Sequence, residues 1–149
     1  MFTKEERSSF PYWFAHWCAF QMTALVHRMW RPKYLFHDCE KPWLRLLFPY
    51  EKVQKWHRQY HNHHLEWLEN EFDKWPGEPD IALNRFDFEG MVIDWECSRF
   101  TKEASPLNAR EQLQEFNKLK YVSKYPNCIC HYWNKIMEKC NEVMDKYGF

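Results

Sequence analysis

Residues 50–73, YEKVQKWHRQYHNHHLEWLENEFD, contain no glycine or proline and return apolar or aromatic side chains every three or four positions. That period predicts one long helix from Tyr50 to about Asp73. At about 100° per residue, His57, His61 and His64 fall within roughly 60° of one another on it, with Leu68 continuing the stripe. Trp56, Tyr60, His63 and Trp67 form a neighbouring stripe that reads as the packing face, which makes His63 the weaker ligand of the four. Three imidazoles on one stripe can face a single ion. Equally, they can be solvated polar residues of a surface helix.

Upstream, Ser8 or Ser9 can cap a helix that Pro11 helps to start, and the apolar pattern continues to Trp30 before Arg31-Pro32 ends it. Tyr34, Leu35 and Phe36 lead to His37-Asp38, and Pro42 to Leu47 predicts a short helix before Pro49. Downstream, Trp75-Pro76-Gly77-Glu78-Pro79 breaks the pattern and leaves a loop over about residues 74–85. Residues 86–100, with Met91, Val92, Asp94 and Trp95, read as a helix, with a strand as the alternative for a β-branched stretch. Ser105-Pro106 starts a helix to about Lys124, Tyr125-Pro126 ends it, and residues 128–147 form a last helix before Gly148. The prediction is an all-α, single-domain bundle over 1–149, with about five to seven helices.

A chain of 149 residues builds one core, burying roughly two thirds of the surface its unfolded form exposes. With nine Trp, 19% aromatic residues and only three Gly, large rigid side chains must fill it. Lys plus Arg and Asp plus Glu each total 21, so no overall field draws nucleic acid or anionic lipid, and any anionic ligand must be held locally. Six cysteines without a secretory context predict reduced thiols and a cytoplasmic protein. Phe10 to Val26 is apolar, but His16 and Gln21 interrupt it and it falls short of the roughly 20 residues of a membrane span. Lys4-Glu5-Glu6-Arg7 mixes signs and no small-residue cleavage site follows, which argues against a secretory signal.

The adjacent His37 and Asp38 are the sharpest chemical feature, because a neighbouring imidazole and carboxylate can grip one divalent cation while other helices complete its shell. His16 lies one helix upstream and Asp94 farther on. His16 and His27 share a helix face but stand roughly 16 Å apart along it, too far to share an ion. Taken singly, a histidine on an apolar helix is more often a hydrogen-bonded core residue, and Asp94 could simply pair with Arg99. Cys128, Cys130, His131 and Cys140 have the residue types of a zinc site but not its paired-knuckle spacing, and can instead be buried thiols.

The order His, then His-Asp, then Asp resembles the HD-domain metal-dependent phosphohydrolases, an all-helical superfamily. The stretches His16-Trp17, Leu35-Phe36-His37-Asp38-Cys39-Glu40-Lys41, His57 with His63-His64-Leu65-Glu66-Trp67, and Val92-Ile93-Asp94-Trp95 are similar to a small HD-like family, covering roughly residues 12–100. That family follows its His-Asp pair with Ser-Lys; here Lys41 is kept and Glu40 replaces the serine. Where it tends to have Asn-Pro before its paired histidines, this chain has His61-Asn62. Residues 101–149, read as a C-terminal helical pair, match nothing in it.

The resemblance implies His16, His37, Asp38 and Asp94 as ligands of one divalent metal, with His57 and His64 binding a second metal or the substrate phosphate. His61 joins that auxiliary group on the helix geometry above. Mixed imidazole and carboxylate ligation suits Fe, Mn, Co or Zn better than Ca. The implied activity is hydrolysis of a phosphoester, for instance of a nucleotide, by a metal-activated water, with Asp38 and Lys41 catalytic and Lys41 or Arg58 neutralising the phosphate. The rival reading is a helical metal-binding or interaction module without turnover. Aromatic residues on the last two helices could also form a homodimer face.

Overall fold

Nine α-helices order the described residues, 1–104, 106–121 and 128–149, of the computed structural model. They are α1 (Phe10–Val26), α2 (Lys41–Leu47), α3 (Tyr50–Tyr60), α4 (Leu65–Lys74), α5 (Pro79–Arg85), α6 (Phe88–Ser98), α7 (Ala109–Tyr121), α8 (Cys128–His131) and α9 (Trp133–Tyr147). Two 3-10 helices, Glu5–Ser8 and Pro32–Phe36, flank α1. The sole strand-like contact among the described residues is an isolated bridge between Phe2 and Lys102.

The helix count exceeds the expected five to seven because three stretches are divided differently. The predicted helix over 50–73 stops at Tyr60 and restarts at Leu65, with His61 and His64 both in extended backbone. The break is held from outside: the Asp87 amide donates to the Asn62 carbonyl at 2.8 Å, and Asn62 Nδ2 donates to the Arg85 carbonyl at 3.0 Å. The loop expected over 74–85 instead contains α5, which Pro79 begins at a first-turn position where its missing N–H is harmless. Residues 128–147 split into α8 and α9.

The first helix ends at Val26 rather than Trp30. Arg28 takes φ 58°, and the Met29 amide donates to the Ala24 carbonyl at 2.7 Å, a left-handed C-terminal cap without the usual glycine. Ser9 is the N-cap, its hydroxyl accepting from the Tyr12 amide. Helix α7 starts at Ala109, three residues after the predicted Pro106, and its expected end near Lys124 lies outside the described residues. Residues 88–98 are helical, not a strand, capped by Asp87, which accepts from the Gly90 amide at 2.9 Å. A Cβ on Gly90 would stand 2.6 Å from Asp87 Oδ2, so the cap requires glycine there.

Helix α6 runs through the interior, with eight of its eleven residues buried. On one side Met91 and Val92 join Leu68, Phe72, Ile136 and Met144 from α4 and α9. On the other, Ile93 and Cys97 meet Phe20 and Ala24 of α1. Fully burying a side chain the size of Leu or Phe contributes about 1.5–3 kcal/mol, so these two clusters fix α6 between α1 and α9. Leu113 of α7 belongs to the same cluster as Leu68, so the described part of 101–149 shares one core with the rest. Among the described residues, large exposed apolar side chains include Phe10 and Phe14 on α1, Trp43, Leu46 and Leu47 on α2, and Leu119 on α7. No helix among the described residues is long and apolar enough to cross a membrane.

Candidate metal centre

One face of α1 holds the segment that carries His37 and Asp38. Trp13, Trp17 and Gln21, spaced four residues apart, donate side-chain N–H groups to the carbonyls of Asp38 (2.8 Å), Leu35 (3.0 Å) and Tyr34 (2.6 Å). This spacing aligns all three on one helical stripe, and the three bonds pin the 3-10 helix and the turn after it. Phe20, from the same face, stacks on the His37 ring at 3.7 Å between centroids. Asp38 sits at φ 57°, a left-handed conformation that Asp tolerates better than most residues and that persists where the surroundings over-determine it.

His16 lies on that α1 face, and α6 supplies Asp94. His16 Nε2 is 2.9 Å from Asp94 Oδ1 and 3.9 Å from Asp38 Oδ2. His37 Nε2 is 3.5 Å from Asp38 Oδ1 and 3.7 Å from Asp94 Oδ1. Four residues from three separate stretches of sequence thus converge. Asp94 meets His16, whereas Arg99 pairs with Glu96 at 2.7 Å.

The break between α3 and α4 turns the histidine cluster back upon this point and reverses the ranking drawn from an unbroken helix. His57 Nε2 lies 3.0 Å and His63 Nε2 3.9 Å from Asp38 Oδ1. His61 faces Glu40 instead, at 3.0 Å. Four overlapping groups, His16-His37-Asp94, His37-Asp38-His63, His57-His63-His64 and Glu40-His57-His61, each have ligand atoms within 4.8 Å of one another and could hold a metal ion. His63, set aside on the helical stripe, belongs to two of them. Glu40 was missed as a site residue; its one signal was that it stands where the resembled family has serine. It accepts from His57 Nδ1, and an ionised carboxylate only accepts, so Nδ1 carries a proton, while Nε2 points at Asp38 Oδ1.

Lys41 Nζ bonds Asp38 Oδ2 at 2.6 Å, while Arg58 lies 3.6 Å from Glu66. Burial by itself would raise the Asp38 carboxyl, but the charges of His37, Lys41 and His57 outweigh it and hold Asp38 well below the usual carboxylate range. Asp94 is likewise lowered against its burial, chiefly by its hydrogen bond to His16 and by the nearby His37. Burial pushes His16, His63 and His64 below the ordinary imidazole value, so all three favour the neutral, ligating form. The Glu40 carboxyl, raised by burial, is brought down further by its bonds to His57 and His61.

Five buried atoms in this cluster have no hydrogen-bond partner: Asp38 Oδ1 and Nε2 of His37, His57, His63 and His64. An unsatisfied buried polar atom costs about 1–3 kcal/mol. All five belong to the overlapping groups above, and a cation in either His37-Asp38-His63 or His57-His63-His64 would satisfy several of them at once.

A pocket opens onto the cluster, and His16, Asp38, His64 and Asp94 line it. Lys41 and Arg58 line it, joined by Arg7, Arg45 and Lys102, and Tyr12, Trp13 and Tyr50 add aromatic wall. Of the alternative zinc set, Cys130, His131 and Cys140 enter none of the four metal-capable groups, and the side chain of Cys128 lies outside the described residues. Cys140 is buried in the apolar core, which pushes its thiol up to about 12. His27 lies apart, its ring stacked on Phe149 and its Nδ1 3.0 Å from the Tyr147 carbonyl. Comparison of the chain with protein-family models, curated proteins and solved structures finds no match.

Proposed function

We propose that this protein is a metal-dependent phosphohydrolase of the HD-domain type, cleaving a phosphoester with one or two divalent cations. The observation that carries the reading is the set of five unpartnered polar atoms around Asp38, beside a pocket lined with basic side chains. His16, His37, Asp38 and Asp94 would hold the first ion, and His57, His63 and His64 a second ion or the substrate phosphate. The mixed imidazole and carboxylate donors suit Fe, Mn, Co or Zn. Such an ion supplies polarisation of a phosphoryl oxygen and acidifies water at neutral pH.

The chain's own groups do the rest. Lys41 Nζ, anchored by Asp38, sits at the pocket floor to bind a phosphoryl oxygen, and Arg58 lines the same wall. Glu40 keeps the proton on His57 Nδ1 and so holds the tautomer whose Nε2 faces the centre. Phe20 covers the far face of His37 and excludes water from that side. Trp13 and Tyr50 line the pocket, which suits an aromatic leaving group such as a nucleoside. The five described cysteines are thiols, in keeping with the cytoplasm.

The test is elemental analysis of the purified protein together with a panel of phosphoesters. Bound transition metal and metal-dependent release of phosphate, both absent in Asp38→Ala, are the expected results. A metal-loaded protein that leaves every ester intact, while Asp38→Ala loses metal and thermal stability, would instead be a structural ion in a non-catalytic module.

A further inference from the structure

The pocket holds more positive charge than one phosphoryl group needs. Lys41 is paired with Asp38 and Arg58 lies near Glu66. Arg7, Arg45 and Lys102 line the same pocket, and among the described residues no carboxylate lies within ion-pair distance of any of them. Arg7 Nε is buried without a hydrogen-bond partner. Lys102 is half-buried, and burial lowers its ammonium against the pull of Asp94. Cations gathered in one partly desolvated concavity disfavour one another, an arrangement that becomes favourable when an anion occupies it.

The backbone reinforces this polarity. Ser8, Ser9 and Phe10, at the start of the 17-residue helix α1, line the same pocket, so the positive end of a long helix adds to the side-chain charge. The two floor carboxylates, Asp38 and Asp94, are already engaged by histidines and Lys41.

We infer that the pocket takes a small organic phosphoester carrying a second anionic group, with the reacting phosphoryl at the Asp38–Asp94 floor and the second group bound by Arg7, Arg45 and Lys102. This rests on the hydrolase reading for the role of the floor, but the basic wall can be tested without turnover. Three features of the wall make it specific: Arg guanidinium forks match phosphate oxygens bidentately, Lys102 adds a point charge, and Arg45 follows Lys41 by one helical turn on α2, continuing away from the floor.

The experiment is calorimetric titration of the metal-loaded full chain with inorganic phosphate and with pyrophosphate, repeated on Arg7→Gln/Arg45→Gln. Wild type should bind pyrophosphate roughly 10-fold or more tighter than phosphate, and the double variant should lose most of that preference while its phosphate affinity stays within about threefold. The variant also controls for withdrawal of metal by pyrophosphate, which would be the same in both proteins. Should the double variant fail to fold, Lys102→Gln is read the same way. Equal affinities in wild type, or equal loss of both ligands in the variant, overturn the subsite. If the preference is found and removed as expected while no ester is hydrolysed, the subsite stands and the hydrolase reading falls; hydrolysis without any preference has the opposite meaning.

Discussion

Two buried regions that meet at α6, an apolar core and a polar cluster, are opposite in content. Toward α4 and α9, Leu68, Phe72, Ile136 and Met144 are 0–2% exposed. Toward α1 and the α3–α4 break, His16, His37, Asp38, His57 and His63 are 3–7% exposed. The apolar side is stabilised by removing hydrocarbon from water and needs nothing further. The polar side carries five buried polar atoms without a hydrogen-bond partner. A single chain therefore contains one region whose stability is its own and another that a bound cation would stabilise.

The sharpest way to break that comparison is Asp38→Ala. It removes a ligand of the proposed centre and strands Lys41, whose ammonium lies 2.6 Å from Asp38 Oδ2 in a largely buried pair. Hydrolysis and bound metal should both fall to background, and chelator-treated protein should lose about 3–5 kcal/mol of stability, as broken buried ion pairs do. A variant that keeps its metal and melts like wild type would refute a metal centre on this side.

Phe72→Ala probes the other interior. Phe72 is 2% exposed, and truncation of such a residue costs about 3–5 kcal/mol. Denaturant melts should register this loss with metal stoichiometry unchanged. Coupled loss of metal would mean the two sides are not independent.

Glu40→Ala should weaken metal binding by about 10–100-fold, the range for removing a partner that orients a ligating imidazole. Because Glu40 is half-buried and touches only the outer edge of the cluster, metal-free stability should change far less than in Asp38→Ala. Competition with a chelator of known affinity measures the first quantity, and unaltered affinity would remove Glu40 from the site.

Acid perturbs the polar side without a substitution. Burial holds His16, His63 and His64 neutral in the folded state, with values below the ordinary 6.5. Below that value the unfolded chain binds protons that the folded chain refuses, so metal-free stability decreases as the pH is lowered, with about 1.4 kcal/mol per unit as the upper limit for each group. His61, raised by Glu40, acts in the opposite direction and softens the slope. Chemical denaturation of metal-free protein between about pH 7 and pH 5 tests this, and a flat profile would mean that these imidazoles are solvated.

Much of the helical pattern was legible in the chain, including Ser9 as a cap, the break at Trp75 to Gly77 and the helix over 88–98. Periodicity, prolines and capping residues act over a few neighbours, and these features depend on nothing farther away. The interruption at residues 61–64 was not legible, because it is stabilised by Asn62 bonding to Arg85 and Asp87 rather than by a local breaker. The same holds for the end of α1 at Arg28, where an arginine takes the position that glycine would announce.

For the site, the family resemblance carried by the order of residues nominated His16, His37, Asp38 and Asp94, side chains whose imidazole and carboxylate lone pairs suit a cation. Which histidines accompany them was decided only in three dimensions. One interrupted helix exchanges His61 for His63 at the centre and turns His61 toward Glu40. The physical reason is that a ligand's direction depends on the backbone that carries it, and here that backbone is held by bonds to residues more than twenty positions away.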